Sequence, residues 1–147
     1  DELAAGVATR LRGAAVGFEF RMDRRSRTYN TFDGHRLLHW AELEGSAAQQ
    51  RALKHALLRA HFTEGENPGA REVLLACAAQ AGLDAARAAE VVDSDQFADA
   101  VRERERLYLD AGIHSVPAVI INDRHLIAGG QPPEVFEQAL RQIAAES

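Results

Sequence analysis

The sequence predicts an α/β protein that is mostly helical, and its order of elements carries this prediction. Residues 31–111 show helical periodicity throughout, with apolar side chains recurring every three or four positions. The β-branched run Ala118–Ile121 then indicates a buried strand, and the turn Asn122–Asp123 leads into a second short strand. A last helix follows, opened by Pro132 and Pro133. The predicted organisation is therefore a long helical block followed by strand, turn, strand and helix.

The first 30 residues are predicted to hold one helix and one short strand. Leu3, Val7 and Leu11 are spaced four apart, which places them on one face of an opening helix. The segment FEFRM (residues 18–22) alternates between apolar and polar residues, which is typical of a strand. The basic residues of the following segment are expected to form a solvated loop; they are Arg21, Arg24, Arg25 and Arg27.

Capping residues divide the helical block into separate helices. Thr31 or Asp33 is predicted to cap a helix that Gly45 ends, and Asp84 is predicted to cap a later, short helix. Asn67–Pro68 resembles a cap followed by proline at the first helical position. Ser94 is predicted to cap a longer helix that Gly112 ends. The residues expected to face inward on that helix are Phe97, Ala100, Val101 and Tyr108, and on the last helix Val135, Phe136, Ala139, Leu140 and Ile143.

Composition and charge narrow the classes of function. Hydrophobic residues make up 46% of the 147 residues and charged residues 27%, which is typical of one folded domain. The net charge of −5 argues against nucleic-acid binding, which needs clustered positive charge. No apolar run approaches the roughly 20 residues of a membrane span, and no signal peptide is expected. The lone Cys77 cannot form an internal disulfide, so a reducing, cytoplasmic location is expected.

The proline at the start of the predicted strand raises the first functional question. Pro117 has no N–H to donate to a sheet, so it does not belong inside a central strand. A cis Val116–Pro117 bond would turn the chain and leave the Val116 carbonyl and N–H facing outward, where an extended ligand could pair with them. The alternative is a trans proline that only begins a strand.

The same stretch resembles a known family. GIHSVPAVIINDRHLIAGGQPPEVFEQAL is similar to the C-terminal half of a thioredoxin fold, above all in DsbA-like oxidoreductases of the FrnE-type branch. The matching pieces are Gly112–Pro117 before the strand, Gly129–Gln131 after the hairpin, and the closing helix. YNTFDGHRLLHWA (residues 29–41) resembles the start of the helical subdomain that these proteins insert into the fold.

The resemblance implies a thioredoxin-like fold with a large inserted α-helical subdomain. It assigns residues 1–30 to a linker helix and short strand, 31–111 to the insertion, and 112–147 to the hairpin, the cis-proline loop and the closing helix. The two or three strands of this chain make a poor sheet alone. The family's first βα part, with its Cys-x-x-Cys, is therefore expected within about 70–80 residues preceding Asp1.

The resemblance also implies a thiol–disulfide oxidoreductase when the protein is intact. A low-pKa thiolate at a helix N-terminus would exchange with a substrate disulfide. Ser115, Val116 and Pro117 would hold the substrate, which is a protein or a small thiol. No cofactor is expected beyond the redox-active disulfide, with glutathione as a possible ligand. No nucleic acid and no membrane are expected as partners, and a homodimer is an open alternative.

Several side chains are weighed as further site residues. His114 beside the proline loop could tune a thiolate, or it is simply an exposed loop histidine. Asn30 and His35 are groove-lining residues on the strength of the resemblance alone. His35 and His39 have a spacing that can hold a metal, but no third ligand is evident and no metal site is predicted. Cys77 lies on an apolar helical stripe and is predicted to be a buried structural thiol.

Two other functions stay open. Kappa-class glutathione transferases and hydroxychromene-carboxylate isomerases share the scaffold and the Val-Pro loop, but carry serine where the first cysteine would be. A non-catalytic helical binding module is the third alternative, since one buried cysteine cannot perform dithiol exchange. The residue that separates the first two alternatives lies upstream of Asp1.

Overall fold

The computed structural model describes residues 2–24 and 27–146, and it is mostly helical with one small hairpin. Seven α-helices and two strands lie within these residues. The helices are α1 (Glu2–Ala15), α2 (Phe32–Glu44), α3 (Ala47–Arg59), α4 (Arg71–Gln80), α5 (Ala85–Val92), α6 (Ala98–Asp110) and α7 (Pro133–Ala145). The strands are β1 (Ala118–Ile121) and β2 (His125–Ala128); a 3₁₀ turn spans Met22–Arg24 and a π-helical turn Ala60–Glu64.

The chain divides into two compact units. The helical unit is Asp1–Val101 and the hairpin unit is Arg102–Ser147. The hydrophobic core described here belongs to the helical unit, where α2, α3, α4 and α5 pack on one another. Helical spacing predicts two apolar stripes in this block, and the structure confirms both, since all of their residues lie in the core or pack against it. They are Leu53, Ala56, Leu57 and Ala60 along and just after α3, and Val73, Leu74, Cys77, Ala78 and Ala81 along and just after α4. The buried core residues are Leu37, Trp40, Ala41, Leu53, Leu57, Ala60, Leu74, Cys77, Ala78, Ala81, Leu83, Ala88 and Val91.

Side-chain caps begin two helices of this unit, α3 at Ser46 and α5 at Asp84. The Asp84 carboxylate accepts a hydrogen bond from the Arg87 N–H, and Gly45 follows the end of α2, as predicted. At the start of α2 the prediction is wrong in detail, because the Thr31 side chain makes no cap hydrogen bond. Asn30 Oδ1 accepts from the Phe32 N–H at 2.9 Å instead. The cap therefore lies one residue before the predicted position.

Helix α4 begins three residues later than predicted. Pro68 is not its first residue, because Asn67 Oδ1 accepts a hydrogen bond from the Gly69 N–H at 2.9 Å and folds residues 67–70 into a turn. The Asn67 carbonyl also accepts from the Ala70 N–H at 3.0 Å. The asparagine therefore caps a turn, and α4 begins at Arg71.

The strand predicted at residues 18–22 is wrong. Residues 18–21 are irregular and lead into the 3₁₀ turn. Their backbone bonds go to the π-helical turn: the Arg21 N–H donates to the Phe62 carbonyl at 2.8 Å, and Thr63 Oγ1 donates to the Glu19 carbonyl at 2.6 Å. Phe20 packs against the Phe62 ring with the centroids 5.3 Å apart. The apolar residue Phe20 of the alternating pattern therefore packs against the π-helical turn rather than in a sheet.

The basic loop agrees with its prediction where the structure describes it. Arg24 and Arg27 are exposed, and Arg21 pairs with Asp23 at 2.9 Å. Arg25 lies outside the described residues. Helix α1 forms as predicted, but its apolar stripe is wrong, since Val7 and Leu11 are exposed. The side chain of Leu3 lies outside the described part of the chain.

Helix α6 begins after a turn in which an aromatic residue adopts a left-handed conformation. Phe97 has φ 63°, a region that bulky residues rarely occupy. Ser94 does not cap the helix as predicted, since its Oγ accepts from the Gln96 N–H at 3.3 Å within the turn. Tyr108, predicted to face inward, is exposed. The turn at residues 94–97 therefore replaces the first helical turn that the spacing suggests.

A buried arginine holds that turn. Arg36 on α2 is 4% exposed, and its guanidinium donates to the backbone carbonyls of Val91, Ser94 and Gln96, the last at 2.9 Å. Asp33 accepts from its Nη1 at 2.9 Å and balances the charge. The end of α5 and the start of α6 are thus joined to α2 through one side chain.

The hairpin unit contains the predicted strand, turn, strand and helix. β1 and β2 are antiparallel, with Ala118 opposite Ala128 and Ile121 opposite His125. Asn122 and Asp123 both have positive φ, which these two residue types tolerate, and the Arg124 N–H donates to the Ile121 carbonyl at 3.2 Å.

Apolar faces of the hairpin unit are less buried than the sequence suggests. β1 is not a buried strand, because Val119 and Ile120 are exposed. Helix α7 begins at Pro133, directly after Pro132, as the sequence predicts. None of its residues is fully buried. Val135 and Leu140, expected on its inner face, are exposed. Among the described residues only these two strands pair, so no further strand covers the sheet.

Replacing the buried arginine is expected to destabilise the helical unit strongly. Arg36→Met leaves three carbonyls without their donor, which we expect to lower the free energy of unfolding by about 3 kcal/mol. Urea unfolding followed by circular dichroism measures this change. Arg71→Met is the matched control, because Arg71 pairs with Asp93 in an exposed ion pair and its loss should barely move the midpoint. Equal effects of the two variants would contradict this role of Arg36.

Candidate functional site

Residues 115–117, the proline loop, form an exposed segment between α6 and β1 of the hairpin unit. It follows the end of α6, where Gly112 has φ +81° and the Ile113 N–H donates to the Tyr108 carbonyl at 3.0 Å. Ser115, Val116 and Pro117 are all exposed, and Val116 is 89% exposed. The three residues predicted to hold substrate therefore form one accessible surface segment.

The backbone of this loop is fixed on one side only. The Val116–Pro117 peptide bond is cis, the isomer that the family resemblance implies. The Pro117 carbonyl accepts a hydrogen bond from the Gly129 N–H at 2.8 Å, so the proline joins the ladder through its carbonyl alone. Gln131 Nε2 donates to the Ala128 carbonyl at 3.0 Å and holds the turn after β2. The opposite side of the loop faces away from β2.

The ladder shows which backbone groups of β1 are unused. The Pro117 carbonyl bonds to the Gly129 N–H, and hydrogen-bonded and non-hydrogen-bonded pairs alternate from there along β1. The pairs Ala118–Ala128 and Ile120–Leu126 are therefore non-hydrogen-bonded. The N–H and C=O groups of Ala118 and Ile120 consequently point away from β2. Within the described residues, neither these groups nor those of Val116 have a hydrogen-bond partner. We call Val116, Ala118 and Ile120 the free edge. Such an edge can pair with an extended peptide.

The sequence prediction missed Ala118 and Ile120. A two-residue turn at Asn122–Asp123 would pair Ile121 with Arg124, whereas the structure pairs Ile121 with His125. This one-residue difference changes which residues of β2 lie opposite β1, but Ile121 closes the turn in a hydrogen-bonded pair in either register, so the outward groups of β1 remain those of Ala118 and Ile120. The sequence contains no separate signal for this register.

The other predicted site residues lie in two places. His114 is exposed beside Ser115 in the hairpin unit. Asn30 and His35 belong to the helical unit, at the start of α2, where the His35 N–H donates to the Thr31 carbonyl at 3.1 Å. Asn30 uses its side-chain oxygen to cap that helix. The two groups belong to different units, and each is described within its own.

Gly69 packs closely against the backbone of Asn30. A Cβ atom at Gly69 would lie 2.5 Å from the Asn30 carbonyl oxygen, closer than real Cβ contacts occur. Residue 69 must therefore be glycine for the Asn67–Ala70 turn to pack against the residues before α2. The sequence indicates a turn here but not this close approach.

Cys77 is confirmed as a buried thiol. It is 2% exposed in the helical core. Burial first, and then the charges of the nearby Glu66 and Glu64 carboxylates, raise the pKa of Cys77 to about 11. A protonated, inaccessible thiol does not attack a disulfide.

The histidine pair does not assemble a metal centre in the described part of the chain. His39 packs its ring against Phe97, with centroids 5.6 Å apart, and its Nδ1 lies 3.9 Å from a Glu42 carboxylate oxygen. His35 is exposed. Among residues 2–24 and 27–146, no three His, Cys, Asp or Glu side chains group as a metal site.

The helical block, the hairpin with a proline at its entrance and the closing helix together define a thioredoxin-like chain with a large helical part. The family model of the DSBA-like thioredoxin domain matches residues 5–141, and the chain belongs to this family. No curated protein matches the chain significantly. No helix within the described residues is long and apolar enough to cross a bilayer.

Substituting the supporting glycine should disturb the Asn30 loop. Gly69→Ala forces the Asn30 carbonyl to move, and we expect the free energy of unfolding to fall by about 1–3 kcal/mol. Backbone amide shifts of residues 28–35 measure the local displacement. Gly130→Ala is the control, because a Cβ there meets no atom within 4 Å. Unchanged shifts near Asn30 in Gly69→Ala would rule out this contact.

The core thiol should react very slowly in the native protein. A pKa of about 11, against the ordinary 9.0, leaves about 100-fold less thiolate at pH 8, and burial slows access further. Reaction with Ellman's reagent, before and after unfolding in urea, measures the difference. Since the folded pKa is raised, this thiol's contribution to stability is complete below pH 9 and is lost as the pH rises towards 11. Rapid native labelling would contradict the buried state.

Proposed function

We propose that this chain binds the substrate of a DsbA-like thiol–disulfide oxidoreductase. The observation that carries the proposal is the free edge at Val116, Ala118 and Ile120, whose outward backbone groups have no partner among the described residues. An extended substrate segment would add to this edge as a strand. Main-chain pairing recognises backbone more than side chains, so it suits an enzyme that acts on many protein disulfides.

The exchange itself needs two thiols that act together. A thiolate attacks one sulfur of the substrate disulfide, a mixed disulfide forms and the other substrate sulfur leaves as a thiolate. A second cysteine then attacks the mixed disulfide, which releases the reduced substrate and oxidises the enzyme pair; oxidation of substrate runs in reverse. Cys77 is buried and protonated, so the proposal assigns both thiols to a Cys-x-x-Cys preceding Asp1 in the full-length protein.

The free edge would supply orientation to this chemistry. Holding the substrate backbone beside a fixed thiolate turns an encounter of two molecules into a reaction within one complex. Ser115 lies next to the edge, and the exposed His114 is proposed to donate or accept a proton there. Asn30 and His35 are proposed as groove-lining residues on the strength of the family resemblance of residues 29–41 alone.

We also propose a cellular location, a family branch and a set of partners for the protein. A single, buried cysteine fits a cytoplasmic protein better than a disulfide-stapled secreted one. The helical insertion at residues 31–111 supports the FrnE-type branch. No cofactor beyond the redox disulfide is proposed. The proposed partner is a substrate protein or small thiol rather than nucleic acid or a membrane. A homodimer is compatible with this function.

Glutathione chemistry is the second candidate. The backbone groups of Val116 that would pair with a peptide would serve equally for the peptide backbone of glutathione. A serine in place of the first cysteine would then make the protein a relative of kappa-class glutathione transferases or hydroxychromene-carboxylate isomerases. With neither residue present, the chain is a binding module without chemistry of its own.

Removing one donor from the free edge tests the proposal in the full-length protein. Val116→Pro deletes the Val116 N–H, and the loss of one main-chain hydrogen bond is expected to raise KM for a disulfide-linked peptide about tenfold. Val116→Ala is the matched control, since it shortens the exposed side chain but keeps the Val116 N–H, and it should leave KM nearly unchanged. Reduction of the peptide, followed by fluorescence, gives KM and kcat.

Three outcomes would contradict the oxidoreductase proposal. The first is a full-length chain with no paired cysteines. The second is equal KM changes in Val116→Pro and Val116→Ala while thermal unfolding shows that both are folded. The third is conjugation of glutathione to an electrophile without disulfide exchange, which would favour the second candidate.

A further inference from the structure

Helix α3 carries a cationic surface that the fold does not use. Its basic side chains Arg51, Lys54, His55 and Arg59 are all exposed, and the helix contains no acidic residue. At 100° per residue they fall within about 140° of the helix circumference, opposite the buried Leu53 and Leu57. They span about 12 Å along the axis. We call these four side chains the basic face.

The basic face is unpaired where other cations of the helical core are paired. In residues 32–98 the remaining arginines each bind a carboxylate: Arg36 binds Asp33, Arg71 binds Asp93 and Arg87 binds Glu44. Among the residues that the structure describes, no hydrogen bond or ion pair reaches Arg51, Lys54, His55 or Arg59. Three permanent positive charges therefore face solvent together.

Helix stability does not account for this arrangement. Arg59 lies in the last turn, where a cation is favourable beside the helix dipole. Arg51 lies in the N-terminal half, where the dipole gives a cation no such benefit. The spacing of Arg51 and Lys54 also brings like charges together on one surface, which costs helix stability.

We propose that the basic face of α3 docks an acidic segment of a protein partner. A short segment with three or four carboxylates matches the length and charge of the face, and the arginines can bind carboxylates bidentately. The net charge of −5 and the exposed Glu64 and Glu66 that follow α3 disfavour a broad anionic surface such as a bilayer or duplex. This inference does not rest on the proposed redox function.

Neutralising the face tests the inference. The variant R51Q/K54Q/R59Q removes three charges, and R12Q/R106Q/R124Q removes three from exposed positions outside α3. The probe is a fluorescein-labelled 12-residue peptide of alternating Glu and Ala, titrated with each protein at 20 mM NaCl and read by fluorescence anisotropy. Three surface ion pairs predict about a tenfold weaker affinity for the first variant and less than about a twofold change for the control.

Two further readouts locate and classify the binding. Amide shifts in ¹⁵N-labelled protein should centre on residues 50–60 when the peptide is added, and affinity should fall at 200 mM NaCl. Equal weakening of both variants, or shifts centred outside α3, would overturn the proposal. Binding of phosphatidylserine vesicles or poly(U) through the same residues, without binding of the peptide, would overturn it in favour of a membrane or an RNA. Circular dichroism verifies that both variants are folded.

Discussion

Three backbone carbonyls accept hydrogen bonds from the Arg36 guanidinium, and these bonds fix the backbone conformation near the end of the helical unit. They come from the last turn of α5 and from the turn at residues 94–97, so one buried side chain fixes both segments relative to α2. The left-handed Phe97 costs of the order of 1–3 kcal/mol and persists only where its surroundings hold it. The hydrogen bonds of Arg36 to the residues just before Phe97 provide that hold. The start of α6 at Ala98 follows from this cluster.

The hairpin unit is organised on a different principle. Its order comes from ladder hydrogen bonds and a tight turn, while the side chains of β1, β2 and α7 stay largely accessible. A surface of this kind presents backbone rather than a shaped cavity. Recognition through it tolerates many side-chain sequences, because every polypeptide offers the same N–H and C=O groups. Affinity would then depend on how extended the bound segment is.

Features set by neighbouring residues could be predicted from the sequence, and features set by distant partners could not. The Asp84 cap, the glycine after α2 and the stripes of α3 and α4 depend on a few residues each, and the structure contains them. The proline loop was identified by its resemblance to a family. The segment at residues 18–22 fails as a strand because its hydrogen bonds go to Phe62 and Thr63, over 40 residues away. The free edge consists of the non-hydrogen-bonded positions of β1, and the alternation of side chains does not indicate which of its backbone groups the partner strand uses.

The position of the single tryptophan gives the protein an uneven optical signal. Trp40 is 2% exposed in the helical core, and its indole N–H donates to the Glu44 carboxylate at 2.8 Å. The hairpin unit has Tyr108 but no tryptophan. Emission excited at the red edge of the absorption band therefore monitors the helical unit alone. Melting of the hairpin unit by itself would leave that emission unchanged, so a single sharp fluorescence transition would describe only one of the two units.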